Sequence, residues 1–240
     1  MITLNRKDLS QALAVIKPAN SRKSVLPILQ YVKATYTDGT LILCATNLEL
    51  YAERSVPAHA DPAAWHDTCL EFAPLEAALK GKADLVTLRT DTAGAYVTVG
   101  KATSRVAIMD TDEFPPCPTA PQNSPHWLTV DVETFVDTFA RVASFTSTDE
   151  ARPVLTGVHM RLDDSGLTMQ AADGYRLMRT RFSPVAHSEI FECLVPYRIG
   201  KLLAKLTSAA LLMVIAPSRN VLHIVGADGE RVVSQLIDGT

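Results

Sequence analysis

The sequence predicts an α+β fold in which one domain, a layer of helices on antiparallel sheet, is used twice. Three observations carry this expectation. Sliding the chain by 126 positions lays Pro27-Ile28-Leu29 on Pro153-Val154-Leu155, Leu41 on Leu167, Ala45 on Ala171, Asn47 on Asp173, Val99-Gly100 on Val225-Gly226 and Arg105-Val106 on Arg231-Val232. A single offset that holds at both ends marks a repeat of whole domains and not a short-period solenoid. Between the copies, residues 114–125 hold five prolines in twelve positions. Proline fixes φ and removes a backbone donor, so this stretch reads as a stiff extended connector. Within each copy, two segments have helical periodicity and seven or eight have strand patterning, which is the signature of helices packed on antiparallel sheet. The expected boundaries are 1–113, a linker at 114–125, and 126–240.

The elements follow in the same order in both copies. A short strand, Ile2–Leu4 or Leu128–Val130, leads into an amphipathic helix. Leu9, Leu13 and Ile16 recur at helical spacing in the first copy, and Phe135, Val136, Phe139 and Val142 in the second, where Asp131 is a natural N-cap. Three strands are expected at 28–36, 40–46 and 49–56, with counterparts at 154–162, 167–172 and 175–182. Asp38-Gly39 and Asp164-Ser165-Gly166 are turn chemistry, so the first two strands of each set form a hairpin. A strand and a second helix come next, near 69–80 and 193–206. Three further strands close each copy, the last two flanking turns at 100–104 and 226–230.

The 240 residues are 47% hydrophobic and 20% charged, enough to bury a sizeable core and unlike a disordered or fibrous chain. Lys and Arg number 23 against 26 Asp and Glu, a formal charge of −3. Taken whole, that sign argues against a surface that grips nucleic acid. The longest uncharged apolar run, residues 209–217, is nine residues long, against roughly 20 for a membrane span. The N-terminus lacks an apolar h-region, so a cytoplasmic protein without a signal peptide is expected. Cys44, Cys69, Cys117 and Cys193 are scattered singly and read as reduced thiols.

No catalytic constellation stands out. His59, His66, His126, His159, His187 and His223 are isolated, and none has metal-ligand spacing with another His or with Cys. No nucleophile elbow, P-loop or dinucleotide fingerprint occurs. The Asp163-Asp164 pair lies in a hairpin turn, where Asp bonds its own backbone. His159 and His223 alternate with apolar neighbours on strands and read as structural. The expectation is a protein with no catalytic residues, no metal and no cofactor.

The second helix of the second copy is different. Ile199, Leu202, Leu203 and Leu206 form its buried stripe, and Arg198, Lys201 and Lys205 form its other face without an acid. Three cations alone are an ordinary solvated face. On a chain of net negative charge, with acids gathered in turns and strands, they are also what focusing a polyanion onto one surface requires.

The segments Leu26-Pro27-Ile28-Leu29, Asp38-Gly39-Thr40-Leu41 and Ala45-Thr46-Asn47-Leu48-Glu49-Leu50 resemble the first domain of the bacterial DNA polymerase III beta subunit family, the DNA sliding clamps. Ala172-Asp173-Gly174-Tyr175-Arg176-Leu177 resembles the family's Thr-Asp-Gly-His-Arg-Leu segment, with Ala for the Thr and Tyr for the His. Leu194-Val195-Pro196 and Leu236-Ile237-Asp238-Gly239 match in order and spacing, so the resemblance covers essentially the whole chain. It implies the DNA-clamp (processivity) fold, with helices lining a ring and sheets outside, and a non-catalytic tether on duplex DNA. Such a ring needs loose, sequence-blind phosphate contacts on its inner helices, and the total charge conceals the sign there.

Carried over by position, the resemblance implies DNA contacts from Arg22 and Lys23 before the Leu-Pro-Ile-Leu segment and from Arg152 in the matching loop, with Arg198, Lys201 and Lys205 facing the lumen. It also implies an apolar groove that takes short linear peptides of polymerases and the clamp loader, built here from Leu155, Ala172, Gly174, Tyr175, Arg176 and Leu177. Without the resemblance these six read as plain strand packing. The family has three such domains per chain and closes a six-domain ring from two chains. This sequence carries two domains, so a homo-oligomer is expected, with a trimer favoured over a dimer. A non-encircling clamp-fold module, or a clamp fragment, that binds replication or repair proteins is the alternative.

Overall fold

The computed structural model describes residues 1–21, 23–60, 65–119, 124–216 and 220–239. They divide into two compact units, Met1–Pro116 and Cys117–Thr240. In the first, β1 (Ile2–Asn5) runs straight into α1 (Arg6–Ile16). Asn5 makes the junction: its Oδ1 accepts from the N–H groups of Lys7 and Asp8, donors that the first helical turn leaves without partners. There follow β2 (Tyr31–Thr37), β3 (Thr40–Thr46), β4 (Leu50–Ala60), β5 (Thr68–Glu71), α2 (Phe72–Ala78), β6 (Leu85–Asp91), β7 (Gly94–Val99), β8 (Ala102–Val106) and β9 (Ile108–Met109). Every pairing is antiparallel, in the orders β9-β5-β2-β3-β4 and β4-β1-β6-β7-β8. β4 belongs to both: Tyr51 to Pro57 pair with β3, and Ala58 to Ala60 pair with β1.

The second unit repeats the plan with β10 (Trp127–Asp131), α3 (Val132–Ala143), β11 (Gly157–Asp163), β12 (Gly166–Ala172), β13 (Leu177–Phe182), β14 (Ala186–His187), β15 (Phe191–Pro196), α4 (Gly200–Leu203), β16 (Ala210–Ala216), β17 (Val221–Gly226) and β18 (Glu230–Gln235). Asp131 caps α3 by accepting from the Thr134 N–H at 2.9 Å, and this bond holds its carboxyl below the usual range. The sheets are β13-β12-β11-β15 and β14-β10-β16-β17-β18, all antiparallel. The counterpart of β4 is interrupted at Ser183-Pro184-Val185, where proline has no N–H for a ladder, and becomes β13 and β14. Phe135, Thr138, Phe139 and Val142 form the buried stripe of α3. The two phenylalanine rings lie 6.1 Å apart, and α3 packs over β10 to β13. Each buried ring stabilises by roughly 2–3 kcal/mol.

Several elements differ from expectation for local reasons. Strands expected from 28 and 154 begin at Tyr31 and Gly157, because Pro27–Gln30 and Pro153–Thr156 are single 3-10 turns with proline at the start. The strand expected from 175 begins at Leu177, because Asp173 to Arg176 close a turn. β4 runs four residues past 56. Thr138 takes the buried position expected of Val136. Within the strand and helix expected over 193–206, the strand is β15, at 191–196, and the helix is short: Tyr197–Ile199 is a 3-10 turn and α4 has one turn. Among the described residues each unit has nine strands, the extra ones being the two-residue β9 and β14.

The proline-rich stretch is fastened at both ends. Phe114 is buried in the first unit, the Arg231 guanidinium donates to the Pro118 carbonyl, and the Ser124 hydroxyl donates to the Ile215 carbonyl at 2.6 Å. All four cysteines are free thiols, and burial pushes those of Cys69 and Cys193 up to about 12. Asp163 serves its turn, accepting from the Ser165 N–H at 2.9 Å. Among the described residues no helix is long and apolar enough to cross a membrane.

Candidate functional site

The sheet β13-β12-β11-β15 has two unlike faces, because side chains alternate along each strand. Val158, Met160, Leu162, Leu167, Met169, Cys193 and Val195 are buried on the face that carries α3. The register assembles the other face into rows. Leu177 pairs Ala172 at one end. Arg179, Gln170, His159 and Leu194 form the next row, then Arg181, Thr168, Arg161 and Glu192. This face is the floor of a groove of about 450 Å³, with Val154, Gly157 and Gly239 at its apolar end. Leu177 is 67% exposed and Val154 50%, an apolar surface open to solvent. Gly157 is required here by close approach. A Cβ on it would lie 2.7 Å from Leu194 Cγ and 2.9 Å from Ile237 Cδ1.

Polar groups organise the rest of the floor. His159 Nε2 lies 2.7 Å from Glu192 Oε1, its Nδ1 lies 3.2 Å from Gln170 Nε2, and Arg181 Nε donates to Thr168 Oγ1 at 3.0 Å. At the groove's end, Asp173 ties the turn that leads into β13. Its Oδ1 accepts from the N–H groups of Tyr175 and Arg176 at 2.9 and 2.8 Å, and its Oδ2 from the Arg176 guanidinium at 3.0 and 2.8 Å. The two backbone bonds, with the Arg176 side-chain bond after them, lower its carboxyl to about 2. Gly174 supplies the left-handed conformation the turn needs, at φ +95°.

Of the six residues expected to form a peptide groove, Ala172 and Leu177 line it. Gly174 and Tyr175 sit in the adjoining turn, where Tyr175 is 96% exposed. Leu155 is half-buried beside Val154, and Arg176 folds back on Asp173 and over the Phe145 ring at 5.2 Å. Val154, Gly157, His159, Leu194 and Arg179 were not singled out as groove residues from the sequence. Period two was the signal: once Leu177 is placed outward, Arg179 follows on the same face.

The expected DNA contacts fall in several places. Arg22 lies outside the described residues, and Lys23 is exposed in a turn. Arg152 pairs with Asp149, Nε to Oδ2 3.0 Å, and Arg198 pairs with Glu150. The loop before β11 therefore puts two acids against the basic cluster, where the sequence expectation had none. Lys201 lies on α4 and Lys205 in the turn after it, both exposed and, among the described residues, without a partner. Beside them, Glu133 and Asp137 on α3 line a shallow pocket with Leu203 and Leu206, the latter half-buried where full burial was expected. The helix layer of this unit thus carries a basic end and an acidic one.

Residues 129–240 match the family model for the central domain of the DNA polymerase III beta subunit. That match takes in most of the second unit. It is 26% identical over 204 residues to the beta sliding clamp of Streptococcus pneumoniae R6, covering 82% of this chain and 53% of that one. The corresponding figures for the clamp of Micrococcus luteus are 24% over 241 residues, 99% and 76%. The chain therefore spans about half the length of the pneumococcal relative. Among solved structures, the Bacillus subtilis sliding clamp superposes with a TM-score of 0.90 at 19% identity, covering 100% of this chain and 65% of that one. The polymerase III beta chain of S. pneumoniae TIGR4 gives 0.90 at 21% over the same shares. The clamp fold thus extends over both units.

Proposed function

We propose that this chain is a non-catalytic processivity clamp, which assembles as a closed ring around duplex DNA and tethers replication proteins to it. The carrying observation is the likeness of both units, along their whole length, to sliding clamps. Lys201 and Lys205, exposed and unpaired among the described residues, supply the mobile phosphate contacts that sliding needs; Arg152 and Arg198 exchange their acid partners for phosphate, and Arg22 and Lys23 add to them. The groove of Val154, Ala172, Leu177 and Leu194 takes short linear peptides of a polymerase and a clamp loader.

The test is the mass of the assembled species by light scattering, joined to retention on nicked circular plasmid after incubation with a clamp loader and ATP. A particle of more than one chain, held on circles and lost when the plasmid is linearised, is the expected result. A monomer never retained on circles overturns encirclement. Replacing Arg198, Lys201 and Lys205 together by Glu should abolish retention and leave the circular dichroism spectrum unchanged, because all three side chains are exposed.

A further inference from the structure

The repeat supplies two versions of the groove, and one of them is occupied. In the first unit Phe114, only 6% exposed, is buried against Ile28, Leu29, Cys44 and Cys69, with Tyr31 and Met109 packed on the same cluster. The 126-residue offset equates Ile28 with Val154, Leu29 with Leu155, Tyr31 with Gly157 and Cys44 with Gln170. Register equates Cys69 with Leu194, since Cys69 pairs Lys33 as Leu194 pairs His159. Phe114 therefore lies in the first unit where the second, among the described residues, has a groove. Its immediate predecessors are Asp112 and Glu113, both exposed.

The open groove also differs in charge. Arg161, Arg179 and Arg181 stand where the first unit has Thr35, Glu53 and Ser55. Arg161 leans on Asp163 at 3.7 Å, and Arg181 bonds Thr168. Glu192, the acid among the floor residues, is engaged by His159. Arg179 is exposed, lines the groove and has no partner among the described residues. It lies two residues from Leu177 on the same strand face, about 6.6 Å along it.

We infer that Arg179, supported by Arg161, is a specificity-determining residue that selects linear peptides carrying a carboxylate within two residues of the apolar side chain seated in the Val154–Leu177–Leu194 pocket. The inference rests on the peptide-docking reading above and adds the chemistry of the occupant. The charge of the open groove favours an acidic partner: Arg179 lines it without a partner among the described residues, while its acid Glu192 is held by His159. Charge complementarity of this kind sets specificity and association rate more than total affinity.

The probe is a fluorescein-labelled peptide with the sequence of residues 111–116, Thr-Asp-Glu-Phe-Pro-Pro, titrated by anisotropy against the full chain. Versions with Asp-Glu replaced by Ser-Ser or Lys-Lys, and with Phe replaced by Ala, complete the set. The inference expects the acidic peptide to bind about five- to tenfold more tightly than the Ser-Ser version and the Lys-Lys version to bind weakest. Arg179→Glu should abolish or invert that order, and 0.5 M salt should flatten it. Equal binding of the three Phe peptides, with loss only in the Ala version, overturns the selectivity and leaves the docking reading standing. If no Phe peptide binds, both fall. Arg179→Glu, at an exposed position, reports on the groove without a folding penalty.

Discussion

The two units share a turn and a groove, and they have settled each differently. At the turn between β3 and β4, Asn47 Oδ1 accepts from the N–H groups of Glu49 and Leu50 at 3.1 and 2.7 Å. Asp173 does the same for Tyr175 and Arg176, with an added clamp on the Arg176 guanidinium. Thr46, fully buried, donates its hydroxyl to the Leu50 carbonyl and accepts from the Leu48 N–H, bonds that Ala172 cannot make. The left-handed position is Leu48 in one turn, φ +78°, and Gly174 in the other. In the groove, Phe114 completes a core in the first unit, while Val154 and Leu177 stay exposed in the second. One scaffold therefore carries a site filled by its own chain and a site that, among the described residues, stays open. What decides between them is a few side chains, not the backbone plan.

The largest way to break the contrast is Phe114→Ala. Removing a buried ring should destabilise the chain by about 3 kcal/mol, read as a lower urea midpoint. It should also open a second apolar groove, and because Glu53 stands there in place of Arg179, the doubled stoichiometry should appear with the Ser-Ser version of the labelled peptide. An unchanged midpoint would mean that Phe114 is not part of the core. Next is Leu48→Gly, which gives the first turn the residue of the second. Relief of a left-handed leucine should raise stability by about 0.5–1 kcal/mol in the same urea titration.

The smallest effect is a pH slope. The Asp173 carboxyl, held at about 2 in the fold, lies below its unfolded value near 3.9. Its stabilising effect is therefore complete above the unfolded value and is lost as pH falls toward 2. Asp173→Asn, which copies Asn47, should make the stability-against-pH curve shallower between pH 4 and 2 and leave it parallel to wild type above pH 5. Equal slopes in both windows would show that the carboxylate is not engaged.

Much of this architecture was legible because it is local. Asp131 as a cap, the hairpin turns and the 126-residue offset are read from adjacent residues or from the repeat itself. The misses have long-range or competing causes. Pro27 and Pro153 look like strand starts by hydropathy, yet a fixed φ and a missing donor begin a 3-10 turn there. The four apolar residues between 199 and 206 suggested a full helix, but Thr207 and Ser208 are drawn off to Glu230, whose carboxylate accepts from the N–H groups of both at 2.8 and 3.1 Å. In the site, Glu150 meets Arg198 across 48 positions, a pairing no local pattern announces. Arg179 was within reach, because an outward Leu177 fixes its direction.

The shared strand β4 has a further consequence. Because its backbone is bonded to β3 over one stretch and to β1 over the next, neither sheet of the first unit can fray there without loading the other, so the two should open as one cooperative block. In the second unit the Ser183-Pro184-Val185 break separates β13 from β14, and the sheet that bears the open groove can breathe on its own. The repeat thus joins a stiff half to a compliant one, with the compliance on the side of the open groove.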